Sequence, residues 1–222
     1  MVSLIVEASN GFLSIACLRE KNVLAEKNIA CSNNLSAIIL EQIDACLQDA
    51  NVTKKDLTQI ISSTGPGSYT AIRVVAAVCK TLAYTLGIPL KTISSLKIMT
   101  LAQNSFLGLR VPLIDARRGN VFAAVFNYDM TELLPEGYYS LEDINTFLEK
   151  RRENIVFIGR DVSKLEEGLL KNDKITFDKE ELKASNVVGA WHLLESSDAF
   201  NMVPQYLRKT EAERELENDK NK

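Results

Sequence analysis

The sequence predicts an α/β protein built as two lobes. Three observations carry that expectation: three strand-like runs open the chain, helix and strand alternate after them, and the second half repeats the same opening in shorter form. At 222 residues the chain is long enough to bury one large core or two half-sized ones.

Val2 to Val6 is an apolar strand and Phe12 to Leu18 a second. Asn10-Gly11 joins them, a dipeptide that tight hairpins favour because both central residues need positive φ. Val23 to Ile29 follows a Lys21-Asn22 turn as the third strand. Asn33 or Asn34 then caps a helix running to about Asp49, because Leu35, Ile38, Ile39, Ile43, Cys46 and Leu47 recur at helical spacing.

Leu57 to Ser62 is β-rich and empties into Thr64-Gly65-Pro66-Gly67-Ser68, the most informative stretch of the chain. The glycines permit backbone shapes and close approaches that a Cβ forbids, and Pro66 stiffens the turn between them. Ser68 is placed to cap a helix entering at Tyr69. Free N–H groups and the positive end of that helix suit an anion, which makes Gly65, Gly67 and Ser68 nucleotide-binding candidates. The pattern lacks the Gly-Lys-Ser/Thr of a phosphate loop and the third glycine of a dinucleotide fingerprint. A structural joint that sets the exit angle of the helix is therefore the favoured reading.

Tyr69 to Leu86 carries only two charges, Arg73 and Lys80. A helix apolar nearly all round is buried on more than one side. Its length would reach across a bilayer, but Arg73 and Lys80 lie inside it and Gly87 and Pro89 end it, so no membrane is expected. One face covers the sheet and another needs a lid, supplied by a neighbouring helix or a second chain. Arg73, Ala76, Ala77, Lys80 and Tyr84 form one stripe, and Ala71, Val75, Cys79 and Leu82 another. Charged groups do not easily face a sheet, and Arg suits interface rims, which assigns the first stripe to a partner. Leu35, Ile38, Ile39 and Gln42 of the first helix are assigned to the same contact.

Leu90 to Ile93 completes a first lobe over residues 1–105, and residues 106–208 make the second. There Val111 to Ile114 and Asn120 to Tyr128 are strands linked by Asp115-Ala116-Arg117-Arg118-Gly119, and a third strand lies between Glu132 and Tyr139. Leu141 to Lys150 reads as a helix, Ile155 to Ile158 as a strand, and Val162 to Leu170 and Leu182 to Leu194 as further helices. Residues 209–222 are a tail of mixed charge without apolar period, expected to be disordered.

Hydrophobic content of 46% and charged content of 25% are ordinary for a soluble globular chain. A net charge of -3 leaves no broad basic footprint, so strong binding of nucleic acid by this chain alone is not expected. The single histidine, His192, excludes or nearly excludes the common zinc sites, and His-assisted Ser or Cys catalysis would have to rest on it alone. No metal and no cofactor is expected. Cys17, Cys31, Cys46 and Cys79 contain no Cys-x-x-Cys pair and read as reduced core residues. The first residues read directly as a strand, with no leader pattern, so a cytoplasmic location is expected.

Three antiparallel strands followed by alternating helix and strand is the order of one half of the actin, sugar-kinase and heat-shock ATPase architecture, an actin-like (ribonuclease H-like) fold. Thr64-Gly65-Pro66-Gly67-Ser68-Tyr69-Thr70-Ala71-Ile72-Arg73 resembles the G-P-G-S-[FY]-T-G-[IL]-R signature of the TsaB, or YeaZ-type, glycoprotease-like family. Further agreement follows in order at Gly87-Ile88-Pro89-Leu90 with Ile93-Ser94-Ser95-Leu96, at Asp115-Ala116-Arg117-Arg118-Gly119-Asn120-Val121-Phe122, and at Pro204-Gln205-Tyr206-Leu207-Arg208. The resemblance spans Leu4 to Arg208.

That resemblance implies a subunit needed for the threonylcarbamoyl modification of the adenosine beside a tRNA anticodon. It implies a catalytic paralogue, TsaD, docked through the two helices of the first lobe, and an ATPase, TsaE, as third member. A homodimer is implied when TsaD is absent, and tRNA contact only within the complex. The single histidine agrees, since the catalytic paralogue needs a histidine pair. Two departures stand out: Val6-Glu7-Ala8-Ser9 replaces the usual I-D-T-S, and Leu35-Ser36 stands where His-Ser is common. Both preserve the fold and weaken the case for nucleotide chemistry. The alternative is an enzyme in its own right, an ATP-dependent phosphotransferase or peptidase of the same fold. It would rest on Glu7, Asp115 and the glycine loop.

Overall fold

The computed structural model describes residues 1–31 and 34–208. The expectations for a cap at Asn33 and for the 209–222 tail lie outside the described residues.

The first sheet forms from β1 (Val2–Glu7), β2 (Phe12–Arg19), β3 (Asn22–Ala30), β4 (Gln59–Ser63) and β5 (Leu90–Ile93), with α1 (Leu35–Asp49) and α2 (Tyr69–Leu86) between its later strands. α3 (Ser95–Leu101) leads to the second sheet, which holds β6 (Leu109–Asp115), β7 (Asn120–Phe126), β8 (Glu132–Ser140), β9 (Ile155–Ile158) and β10 (Ile175–Asp178). α4 (Leu141–Glu149) and α5 (Val162–Leu165) connect its last three strands. The strand orders are β5-β4-β1-β2-β3 and β10-β9-β6-β7-β8, so the repeat seen in the sequence is a repeat of topology. β1 and β6 play the same part, each antiparallel to the next strand and parallel to a later one.

Period-two alternation divides the core into layers. Leu4 and Val6 of β1 face α1 and α2, whereas Ile5 faces the space between the sheets. Val121, Ala123 and Val125 of β7 face α4, and Ala124 and Phe126 face inward. Both faces of each sheet are covered, which explains strands that read as continuous apolar runs. α3 and the segment from Leu182 to Leu194 fill the middle layer.

That segment corrects the expectation of a last helix. It forms two short 3-10 turns, Ala184–Val187 and Trp191–Leu193. Its backbone is satisfied from outside: the Ala184 amide donates to Ser14 Oγ at 2.7 Å and the Ser185 amide to Glu26 Oε1 at 2.9 Å. The helix at Val162 is also shorter than expected, α5 giving way to a 3-10 turn at Glu166–Gly168. A further strand, β11 (Glu195–Ser197), pairs with β5 at the edge of the first sheet. After β10 the chain therefore returns to the edge of the first sheet. His192 is exposed on its turn, and of the cysteines only Cys31 is not fully buried.

Candidate functional site

Two surfaces of the first lobe carry the residues singled out by the sequence: the outer face of α1 and α2, and the cleft at the C-terminal ends of the parallel strands. On α2, Ile72, Val75, Ala76, Cys79 and Ala83 are buried against the sheet; on α1, Leu35, Ile39, Ile43, Cys46 and Leu47 are. Leu35, Ile39 and Ala76, assigned from sequence to a partner, thus belong to the core of their own lobe. Ala71 and Leu82, assigned to the sheet, are only half-buried, as are Val74 and Val78 beside them. This flank faces α1, and a cavity of about 290 Å³ there is lined by Leu35, Ser36, Ala71 and Val74. Ile38 and Gln42 are half-buried and Ala77 is exposed.

The opposite flank of α2 carries Arg73, Lys80 and Tyr84, and a segment beginning at Phe200 touches Lys80 and Tyr84. Lys80 Nζ donates to the carbonyls of Phe200 and Met202 at 3.1 and 2.9 Å. The Tyr84 ring meets Phe200 edge-on at 5.0 Å. Arg73 lies over the Tyr69 ring at 5.1 Å. All three residues lie away from the sheet, and Lys80 and Tyr84 meet an intramolecular strap, a contact that no local pattern announces.

The strap continues into the cleft. The Gln205 amide donates to the Thr64 carbonyl at 2.7 Å, Tyr206 packs on Tyr69 at 5.3 Å, and Arg208 donates to the Ala116 carbonyl at 3.4 Å. Arg208 also lies over the Tyr138 ring at 5.2 Å, so the strap ties the first lobe to the second. Gln205 borders two cavities of about 560 Å³ each. One is lined by Ser94, Lys97, Glu132, Glu136 and Ser196. There Ser94 Oγ donates to Glu136 Oε2 at 2.6 Å, and burial pushes the Glu136 carboxyl above the usual range.

The other cavity lies between the β1–β2 turn, the glycine loop and the β6–β7 turn. Gly65 has φ +89° and Gly67 φ +154°, and a Cβ on Gly67 would stand 2.4 Å from the Ser9 carbonyl oxygen. The Ser68 amide donates to that same oxygen at 2.8 Å, stapling the loop to the β1–β2 turn. Ser68 precedes α2 as expected, yet its side chain makes no capping bond. In the β6–β7 turn, Arg117, Arg118 and Gly119 all have positive φ. The Arg117 amide donates to Asp115 Oδ1 at 2.8 Å, and Asn120 Nδ2 donates to the carbonyls of Arg117 and Arg118.

Glu7 does not face this cavity. It is 2% exposed, and its Oε1 accepts from the Ser9 amide at 2.8 Å and Ser95 Oγ at 2.9 Å. Burial raises its pKa, and hydrogen bonds from Ser9, Ser95 and Ser63 oppose that rise. Enclosed, and with Oε1 taken by Ser9 and Ser95, this carboxyl is not presented to the cavity, which weakens the support Glu7 lends to the phosphotransferase reading. Among the described residues no group of three or more His, Cys, Asp or Glu is arranged as a metal site. Nor is any described helix long and apolar enough to cross a membrane.

Fold and cleft together define an α/β protein of two sheets with a repeated topology. A family model described as "TsaD: tRNA N6-adenosine threonylcarbamoyltransferase" matches residues 28–215. The chain is 32% identical to the tRNA threonylcarbamoyladenosine biosynthesis protein TsaB of Bacillus subtilis, over 96% of this chain and 96% of that one. It is 26% identical to TsaB of Buchnera aphidicola subsp. Schizaphis graminum, over 71% of this chain and 78% of that one. YeaZ from Pseudomonas aeruginosa superposes with a TM-score of 0.75 at 19% identity, covering 93% of this chain and 99% of that one. A second Pseudomonas aeruginosa structure, described as similar to peptidase YEAZ, gives a TM-score of 0.81 at 20% identity over 93% and 99%. These two structures speak to fold alone. The chain belongs to the TsaB family, within the group that the TsaD model describes.

Proposed function

We propose that this chain acts in tRNA threonylcarbamoyladenosine biosynthesis as a non-catalytic partner that binds and stabilises a TsaD-like threonylcarbamoyltransferase. The observation that carries this reading is the outer face of the α1–α2 pair, where Ile38, Ala71, Val74, Val78 and Leu82 are left partly uncovered and Ala77 is exposed. A contiguous apolar helical face of this kind calls for facing helices. In the absence of TsaD the same face pairs with a second copy of this chain. A TsaE-like ATPase joins the complex, tRNA is contacted only through the assembly, and the complex works in the cytoplasm.

The test is co-purification of the chain with the TsaD-like protein of the same organism, followed by tRNA modification assays with each component omitted. Modification is expected only when the TsaD-like protein and this chain are both present. Turnover of ATP or transfer of threonylcarbamoyl to tRNA by this chain alone would overturn the non-catalytic reading. Failure to co-purify would overturn the partnership.

A further inference from the structure

The dipeptide Ser94-Ser95 lies between the two sheets, and the partnership with a TsaD-like protein gives it no task. Each hydroxyl holds a carboxyl from a different sheet. Ser95 Oγ donates to Glu7 of β1 at 2.9 Å, and Ser94 Oγ donates to Glu136 of β8 at 2.6 Å. Ser94 also accepts from the Leu96 amide at 3.1 Å as the cap of α3. The Ser94–Glu136 bond therefore fastens the edge strand of the second sheet to the start of α3, which packs in the middle layer.

This bond stands at the wall of the cavity of about 560 Å³ bounded by β8, α3, β11 and the strap. Glu136 Oε1 is enclosed and has no hydrogen-bond partner. The charged groups facing it are Glu132 of its own strand, Lys97 of α3 and Glu195 of β11. The lining residues from β5 and from the strap, Asn201 to Gln205, bring no charge. Lys97 is already paired with Glu132 at 3.3 Å. Three acids thus share one base, and ionising Glu136 in place would set an oxygen without a donor among like charges. Burial raises the Glu136 pKa above its ordinary 4.5, with Glu132 and Glu195 adding to the rise and Ser94 and Lys97 opposing it.

We propose that Ser94 and Glu136 form a proton-operated latch between the two sheets. With Glu136 protonated, β8 closes on α3. With Glu136 ionised, its proton released to water, the seam opens locally and the carboxylate is solvated. The closed form holds a proton that the open form has lost above about 4.5. Opening therefore becomes easier as pH rises from about 4.5 to the closed-state value, and levels off above it. The latch goes beyond the TsaD partnership and is tested on the chain alone.

The experiment is hydrogen exchange of the full chain from pH 4 to 8, with each rate divided by the intrinsic rate at that pH. Protection of residues 132–140 should fall about tenfold per pH unit above about 4.5, one proton being released per opening, and then level off. Glu136→Gln keeps an acceptor for Ser94 and cannot ionise, so protection there should not change with pH. Glu195→Gln removes one like charge from an exposed position and should bring the levelling-off to lower pH. It decides the matter by itself if Glu136→Gln does not fold. Glu7→Gln, at the other serine, should leave the fall in place. Melting temperature and circular dichroism check that the variants stay folded. Flat protection in the parent, an equal fall in Glu136→Gln, or a Glu195→Gln profile identical to the parent overturns the latch. So does protection of residues 132–140 as high as that of β9, since the seam would then open only with the whole fold.

Discussion

Glu7 is a carboxyl that water would keep charged and that the fold encloses among serines. Its ordinary pKa is 4.5, and burial raises the folded value above that. The folded chain then holds a proton that the unfolded chain has released, so stability from this group is complete below about 4.5 and falls as pH rises through the folded value. Glu7→Gln keeps an acceptor for Ser9 and Ser95 and removes the ionisation. It should raise the neutral-pH melting temperature by about 3 °C, the shift that ~1 kcal/mol gives a domain of this size, and flatten the acid side of the stability profile. Thermal melts of both proteins from pH 4 to 8 check this, and a variant less stable than the parent at pH 7 would contradict it. Gly67 gives a second residue-scale test. Positive φ alone costs roughly 1–2 kcal/mol, and Gly87→Ala, with nothing within 4 Å of its Cβ, should lose about that much. Gly67→Ala adds a collision at 2.4 Å with the Ser9 carbonyl and should lose ~3 kcal/mol or more in urea unfolding. The need for glycine was legible in Gly65-Pro66-Gly67; the approach of Ser9 was not, because it joins segments far apart in the chain.

At the scale of elements, α2 separates what sequence can and cannot say. Its ends, Tyr69 and Leu86, match the expectation because apolar content, Gly87 and Pro89 are local signals. Val75 and Cys79 meet the sheet as assigned and Ala76 joins them, whereas Ala71 and Leu82 stay half-buried; Ala71 and Val75 differ little in chemistry, and only packing decides which is covered. Ala76 is 3% exposed, whereas Ala77, one residue on, is exposed. Ala76→Glu should therefore destabilise the lobe by several kcal/mol through a buried charge. Ala77→Glu and Val74→Glu should leave melting within a few degrees of the parent and abolish pull-down of the TsaD-like protein. Retained binding by both would move the interface elsewhere. The segment from Leu182 to Leu194 shows the converse error. Its apolar residues Leu182, Ala184, Val187 and Ala190 fill the middle layer from 3-10 turns, and their spacing alone could not distinguish that from a helix. α3 went unrecognised although Ser94 caps it by accepting from the Leu96 amide, a signal present in Ser94-Ser95-Leu96.

For the whole molecule, the duplicated topology was readable from the order of strands and helices, but the closure of the two halves was not. The two sheets share an apolar middle layer, and the cleft between them is bridged by the strap from Phe200 to Arg208, which has little regular structure and makes its contacts one at a time. Lys80, Tyr84, Thr64 and Tyr69 hold it on the first lobe, and Ala116 and Tyr138 hold it on the second. Aromatic and cation–π contacts of this type contribute about 0.5–1.5 kcal/mol each, too little to decide folding and enough to decide how the lobes move. The cores of the two sheets do not include the cleft end of the strap, so losing that end should loosen the cleft and spare the sheets. Tyr206→Ala combined with Arg208→Ala should accelerate amide exchange in the glycine loop and the β6–β7 turn. Protection of α4 and of β9 should stay at the parental level. Exchange rising evenly through both sheets would mean that the strap holds up the fold itself, and no change at the loop and turn would mean that it fastens nothing.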